Sequence, residues 1–253
     1  MLVLERRILL FNVKRVYFCD YPCDLDGCDA VHILHCRNQV EGQGFNCERR
    51  LTAVTDLDQD VDTIWANMDK NCRRQIRKAV SEEIKVRMNE RYGEFCQMNK
   101  ELAQIKGFAS NLGFSTPDAE TLRRYGTLFT AARNGELLAG NAYLEDGEHI
   151  LAWLSASKRL EVDRSLASLI GWANRLLHWE ALRYAKDKGI TEFDWGGLWP
   201  ETEADQDKQN LNRFKLSFGG DVVTRYCYEK VYSGPFRAAQ WLYRSVQSVG
   251  ARS

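Results

Sequence analysis

Two short stretches put a charged side chain beside a glycine pair. Phe193-Asp194-Trp195-Gly196-Gly197 is one, and Phe214-Lys215-Leu216-Ser217-Phe218-Gly219-Gly220 is the other. Glycine pairs let main chain pass close to a ligand, because no Cβ stands in the way. A lysine held there can face negative charge that develops on a carbonyl oxygen. Taken alone, Lys215 reads more readily as a solvated helix lysine. Asp194 can orient an amine or cap the turn that follows it, and the cap is the favoured reading. Trp195 and Trp199 line a pocket or cover a core. A third stretch is basic: Arg73, Arg74, Arg77 and Lys78 fall on the polar side of an amphipathic helix. They can grip phosphates. The alternative is a solvated helix face.

Cys19, Cys23, Cys28 and Cys36 cluster near His32 and His35. Their spacing lacks the paired short knuckles of common zinc modules, so no metal is expected and reduced, packed thiols are. Cys47, Cys72, Cys96 and Cys227 are scattered. The formal net charge of +0 provides no global field for nucleic acid or acidic membrane. No apolar run reaches the ~18–20 residues that cross a bilayer. The opening stretch, MLVLERRILLFNVKR, has charges inside its apolar part and no small-residue cleavage site, so it is not read as a signal peptide. Cytoplasmic location and no stable membrane insertion are the expectation.

These residues need elements to position them. Residues 13–21 and 48–57 have strand composition, and 29–36 reads as a short helix. From Asp60, a helix N-cap, apolar residues recur at helical spacing to Val80. EEIKVRM is a short strand. A helix spans about 91–105, and Ser115-Thr116-Pro117-Asp118 starts another that ends near Tyr125. Asn134-Gly135 and Asp146-Gly147 are tight hairpin turns, so residues 127–155 should form three antiparallel strands. A long helix over 164–188 ends at Gly189. Then come a strand at 190–195, a polar acidic loop from Trp199 to Asn210, a short helix at 211–218, a strand from Asp221, and a last helix.

Three stretches in this order carry a resemblance. The first is Trp65 through Ala79. The second is Ala139-Gly140-Asn141-Ala142-Tyr143-Leu144, with the long helix that reads Asn174 to Ala185. The third is Phe193 to Gly197 with Phe214 to Gly220. Together they resemble the Fem family, the aminoacyl-tRNA-dependent transferases that build peptidoglycan cross-bridges, over roughly residues 50–248. The resemblance implies an α+β fold of the GNAT acyltransferase type. Its mixed, mostly antiparallel sheet is flanked by helices and splays open where the acyl donor sits. It implies a trimmed N-terminal GNAT-like half at 1–110 and a catalytic GNAT-like domain at 111–253.

The same resemblance makes Lys215 the catalytic lysine that faces the reacting carbonyl. Phe214, Asp194, Trp195, Gly196 and Gly197 become substrate-binding candidates. Arg123, Arg124 and Tyr125 fall where the family places acceptor-phosphate contacts. The resemblance makes the phosphates within reach of Arg73, Arg74, Arg77 and Lys78 those of a tRNA end or of a nucleotide-linked acceptor. The implied reaction moves an aminoacyl group from charged tRNA to an amine of a peptide or small molecule, with no cofactor beyond the acyl donor. An acyl-CoA or acyl-carrier thioester is the alternative donor, and a degenerate, non-catalytic binding module is the alternative of a different class. The glycine-rich pyrophosphate run of acetyl-CoA-using relatives is missing, since the matching place reads Lys158 to Leu166 without a glycine. The sequence leaves the acceptor, the transferred group and the oligomeric state open.

Overall fold

The computed structural model describes residues 1–106, 117–159 and 162–250, apart from the side chains of 243–250. Ser115 and Thr116, at the expected helix start, lie outside the described residues. So do residues 160 and 161, in the segment that lacks the glycine-rich run. The described chain divides into two compact units, one of 1–50 with 224–253 and one of 51–223.

In the first unit, β1 (Leu2–Ile8) and β2 (Phe11–Tyr17) form an antiparallel hairpin. β3 (Ala30–Cys36) runs parallel to β2 and antiparallel to β10 (Asp221–Val231). The 29–36 segment is therefore a strand and not the short helix expected of it. Val31, Ile33 and Cys36 are fully buried around Tyr228, so pairing on both edges and core packing override local preference. α7 (Gly234–Gly250) follows, and its Phe236 packs edge-on against Phe11. Among the described residues no three His, Cys, Asp or Glu side chains are grouped to hold a metal ion. The thiols of Cys28 and Cys36 donate to the carbonyls of Leu25 and Asp20.

The second unit holds the end of β4 (Asn46–Asp56), then α1 (Val61–Asn67), α2 (Lys70–Ser81), β5 (Lys85–Met88), α3 (Tyr92–Ile105) and α4 (Ala119–Tyr125). The meander follows as β6 (Gly126–Arg133), β7 (Glu136–Glu145) and β8 (His149–Ser157). α5 (Arg164–Asp187), β9 (Glu192–Leu198) and α6 (Gln206–Leu216) complete it. Its strand order is β4-β9-β8-β7-β6-β5, antiparallel except where β8 meets β9. Leu128 and Ala142 pack with Phe95 of α3, while Phe129 and Tyr143 pack toward α5. Strand alternation thus gives each sheet face its own helical cover. α5 buries Leu169, Ile170, Ala173, Leu176, Leu177, Ala181, Leu182 and Ala185 along one stripe.

The helix expected from Asp60 to Val80 is broken. Met68 and Asp69 are extended, and the Asp69 amide donates to the Ser217 carbonyl at 2.9 Å. Arg73 reaches back to the Ala66 carbonyl at 2.7 Å and so takes a free acceptor at the end of α1. The acidic segment after Trp199 is a loop only to Asp205, which caps α6 through the Asp207 amide. α6 starts five residues earlier than its apolar pattern suggested, since its first turns are polar on every side. Among the described residues no helix is long and apolar enough to cross a membrane.

Candidate active site

β8 and β9 pair in parallel at His149–Glu192, Ile150–Phe193 and Leu151–Asp194, and then part. Trp153 is an extra residue in β8 there, because Ala142 faces Leu154 while Tyr143 faces Ala152. This bulge bends β8 away from its neighbour. The opening is a cleft of about 430 Å³, lined by β8 from Ala152 to Ser155, by α5 through Asn174, Arg175 and His178, and by α6 through Phe214 and Lys215.

Lys215 sits at the mouth of the splay. Its Nζ donates to the Gly197 carbonyl at 2.7 Å. Gly196 has φ +79, and a Cβ there would stand 3.3 Å from the Ala152 carbonyl oxygen and 3.5 Å from Lys215 Nζ. The left-handed glycine therefore lets the strand turn and approach the Ala152 carbonyl closely, with the ammonium beside it. Burial lowers the Lys215 pKa to about 8, against the opposing pull of the Asp194 carboxylate. At neutral pH the amine is mostly charged and poorly hydrated.

Asp194 is buried, and its Oδ1 accepts from Thr52 Oγ1 and from the Gly196 amide, the latter at 2.7 Å. It caps the glycine turn and supplies negative charge behind Lys215. Trp195 is 1% exposed, stacks on Phe218 at 4.4 Å and donates to Thr55 Oγ1, so its ring packs in the core and also lines the cleft. Phe214 is only partly buried and faces the cleft. Trp199 is largely exposed beneath Lys208, and its backbone is held from both sides by Asn212.

The basic candidates lie elsewhere. Arg74, Arg77 and Lys78 line a shallow groove with Trp172. Lys78 pairs with Glu82 at 2.9 Å, Arg77 lies over the Trp65 ring, and Arg73 is spent on α1. Arg123 and Arg124 are exposed on α4, over the rings of Tyr92 and Tyr125, and do not line the cleft.

Three cleft residues were not singled out from the sequence: Asn174, Arg175 and His178. Asn174 and His178 are four apart on the face of α5 that is otherwise apolar, and that interruption was the available signal. His178 contacts Tyr143 at 2.8 Å and packs among Trp195, Phe214 and Phe218. Asn174 accepts from Asn141 at 2.9 Å. The amides at the start of α5 are already used: Asp163 accepts from Ser165 at 2.8 Å and Leu166 at 3.1 Å.

Residues 66–215 match the family model described as acetyltransferase (GNAT) domain. Among solved structures, FemX is similar with a TM-score of 0.62 at 13% identity, over 94% of this chain and 85% of that one. L-PGS from Bacillus licheniformis is similar with a TM-score of 0.53 at 12% identity, over 93% and 82%. The C-terminal domain of an Agrobacterium fabrum protein assigned as a lysylphosphatidylglycerol synthetase gives 0.55 at 9% identity, over 92% and 81%. At such identities the likeness is one of fold. Among curated proteins no sequence matches.

Proposed function

Because the chain belongs to the acetyltransferase (GNAT) domain family and is a GNAT-type acyltransferase, we propose that it transfers an aminoacyl group from aminoacyl-tRNA to an amine of a peptide or small molecule. The observation that carries this reading is the half-buried Lys215 on Gly197, at the point where β8 and β9 part. The donor ester lies in the splay with its carbonyl oxygen toward Lys215. The acceptor nitrogen attacks the carbonyl carbon, and a C–N bond forms. The ammonium stabilises the oxyanion. The intermediate collapses by breaking the ester C–O bond, and the leaving hydroxyl takes up the proton that the amine gives up. Asp194 and the Gly196–Gly197 turn hold Lys215 in place, and Phe214 walls the cleft beside it.

Two observations favour an ester donor over acyl-CoA. The Lys158–Leu166 segment has no glycine, and the first amides of α5 are held by the Asp163 carboxylate, which would repel a pyrophosphate. A lysine kept poorly hydrated in a cleft also favours an enzyme over a binding module. The test is to incubate the full chain with a pool of charged tRNAs and, separately, with acyl-CoAs, each with a mixture of amine acceptors. Amide formation from the charged tRNAs, lost in Lys215→Met, is the expected result. Transfer from acyl-CoA alone would replace the donor, and transfer from neither would overturn the reading.

A further inference from the structure

Arg175 enters the cleft from α5 with its guanidinium carbon 4.8 Å from the centroid of the Phe214 ring. Its Nη1 makes one long hydrogen bond, 3.4 Å to the Gly171 carbonyl, and its Nε is out of contact with solvent without a hydrogen-bond partner. Arg159 comes from the end of β8 and is exposed. Its guanidinium carbon lies 3.8 Å from where a Cβ on Gly171 would stand, which places it against α5 one turn before Arg175. Burial, and then the charge of Arg159, lower the Arg175 pKa, while the Cys72 thiol and Asp69 pull it partly back. Lys215 is a third cation lining the same cleft. Among the described lining residues the one acid is Asp207, and it is tied to Lys106 at 2.7 Å. Cations gathered in a cleft without a matching carboxylate suit an anionic ligand.

We propose that Arg159 and Arg175 form an anion subsite that takes a phosphate ester carried by the acyl donor; this rests on the reading of the cleft as an acyl-donor site. The start of α5 cannot hold the phosphate, since Asp163 occupies its amides. The guanidiniums take that role instead. Arg175 is stacked on Phe214, the neighbour of Lys215. Arg175 of α5 and Lys215 of α6 thus line one cleft, with the Phe214 ring in contact with the first and next in sequence to the second. A nucleotide esterified near its phosphate offers both groups to one cleft, and the phosphate of a CoA thioester has the same chemistry.

The experiment titrates the full chain with adenosine 5′-monophosphate, adenosine and coenzyme A, by calorimetry. Adenosine 5′-monophosphate should bind at least about tenfold more tightly than adenosine, and Arg159→Gln and Arg175→Met should each remove most of that difference. Arg159 is exposed, so its variant keeps the test valid if Arg175→Met folds poorly. If coenzyme A binds more tightly than the monophosphate and loses affinity in the same variants, the subsite stands and the phosphate is a thioester's. Lys215→Met should cut transfer by ~10²–10³-fold yet leave monophosphate binding within about threefold, so the subsite and the catalytic reading can fail separately. Equal binding of adenosine and its monophosphate, or undiminished monophosphate binding in Arg159→Gln, would overturn the proposal.

Discussion

Tyr143 Oη and His178 Nδ1 lie 2.8 Å apart under the floor of the cleft, both side chains buried. The pair ties β7 to α5 directly below the ring of Phe214. Burial first, then Lys215 and Arg175, lower the His178 pKa to about 3. The imidazole is therefore neutral at physiological pH. It is too weak a base to take the acceptor proton there, and it packs against the Phe214 ring instead.

That neutrality has a signature in acid. The folded pKa lies below the ordinary value of 6.5, so the unfolded chain takes up a proton that the native state refuses. This contribution to stability is complete above pH 6.5 and declines as pH falls toward 3. By pH 4.5 the loss reaches up to about 3 kcal/mol. His178→Gln keeps a hydrogen-bonding partner for Tyr143 and removes the titration. Urea melts from pH 7 to 4.5 should fall less steeply in the variant; parallel curves would mean that His178 is protonated in the native state.

Gly219→Ala should be severely destabilising. Gly219 has φ +80, and a Cβ there would run into the carbonyl of Asn67 at the end of α1. A loss of more than about 2 kcal/mol is expected from the strained φ and the backbone clash together. Gly147→Ala, whose Cβ meets nothing within 4 Å, is the control. Thermal melting separates them, and a Gly219→Ala protein as stable as its control would refute the close packing.

The sequence made the meander legible because Asn134-Gly135 and Asp146-Gly147 are turns of local origin. Long α5 was legible because its stripe repeats over many turns. What stayed hidden was non-local. The break at Met68–Asp69 depends on Ser217 and Arg73, and β3 depends on two partner strands distant in sequence. At the site, Lys215 could be marked only by resemblance, since nothing local shows that Gly197 will accept its proton. Arg175 carries no signal of its own in the sequence, because its setting among other cations is a property of the cleft rather than of the chain.

The basic residues of α2 should separate into two groups. Arg73 satisfies carbonyls of α1, whereas Arg74 and Arg77 project from an exposed face beside Trp65 and Trp172. Arg73→Glu is expected to lower thermal stability. Arg74→Glu with Arg77→Glu should leave stability unchanged, weaken tRNA binding and reduce its salt slope by roughly two phosphate contacts. Filter binding across salt concentrations measures this, and an unchanged slope would return the face to plain solvation.

The cysteines of the first unit give a simple measurement. If Cys19, Cys23, Cys28 and Cys36 are ordinary thiols, elemental analysis of the purified chain should find no stoichiometric zinc. About one equivalent of zinc, lost in Cys23→Ser or Cys28→Ser, would contradict that.

Lys215→Met should lose turnover and gain stability at the same time. Met keeps much of the stem and drops the charge, so turnover is expected to fall ~10²–10³-fold, the usual effect of removing one oxyanion donor. Its stability effect follows from the pKa, which falls from 10.5 to about 8 on folding. Below pH 8 both folded and unfolded chains carry the proton, and the native state bears the full penalty of a buried charge. Between pH 8 and 10.5 the native lysine is already neutral while the unfolded one is not, so wild-type stability rises with pH across that window. At pH 7 the variant should therefore be more stable by about 1–3 kcal/mol. The gap should close as pH approaches 10.5. Wild-type turnover should also decline above pH 8 as the ammonium is lost, on top of any rise from deprotonation of the acceptor. Paired melts and rate profiles from pH 6.5 to 10.5 measure all three effects. A variant with near-normal turnover and no gain in stability at pH 7 would mean that Lys215 is a hydrated surface group, and the oxyanion role would fall with it.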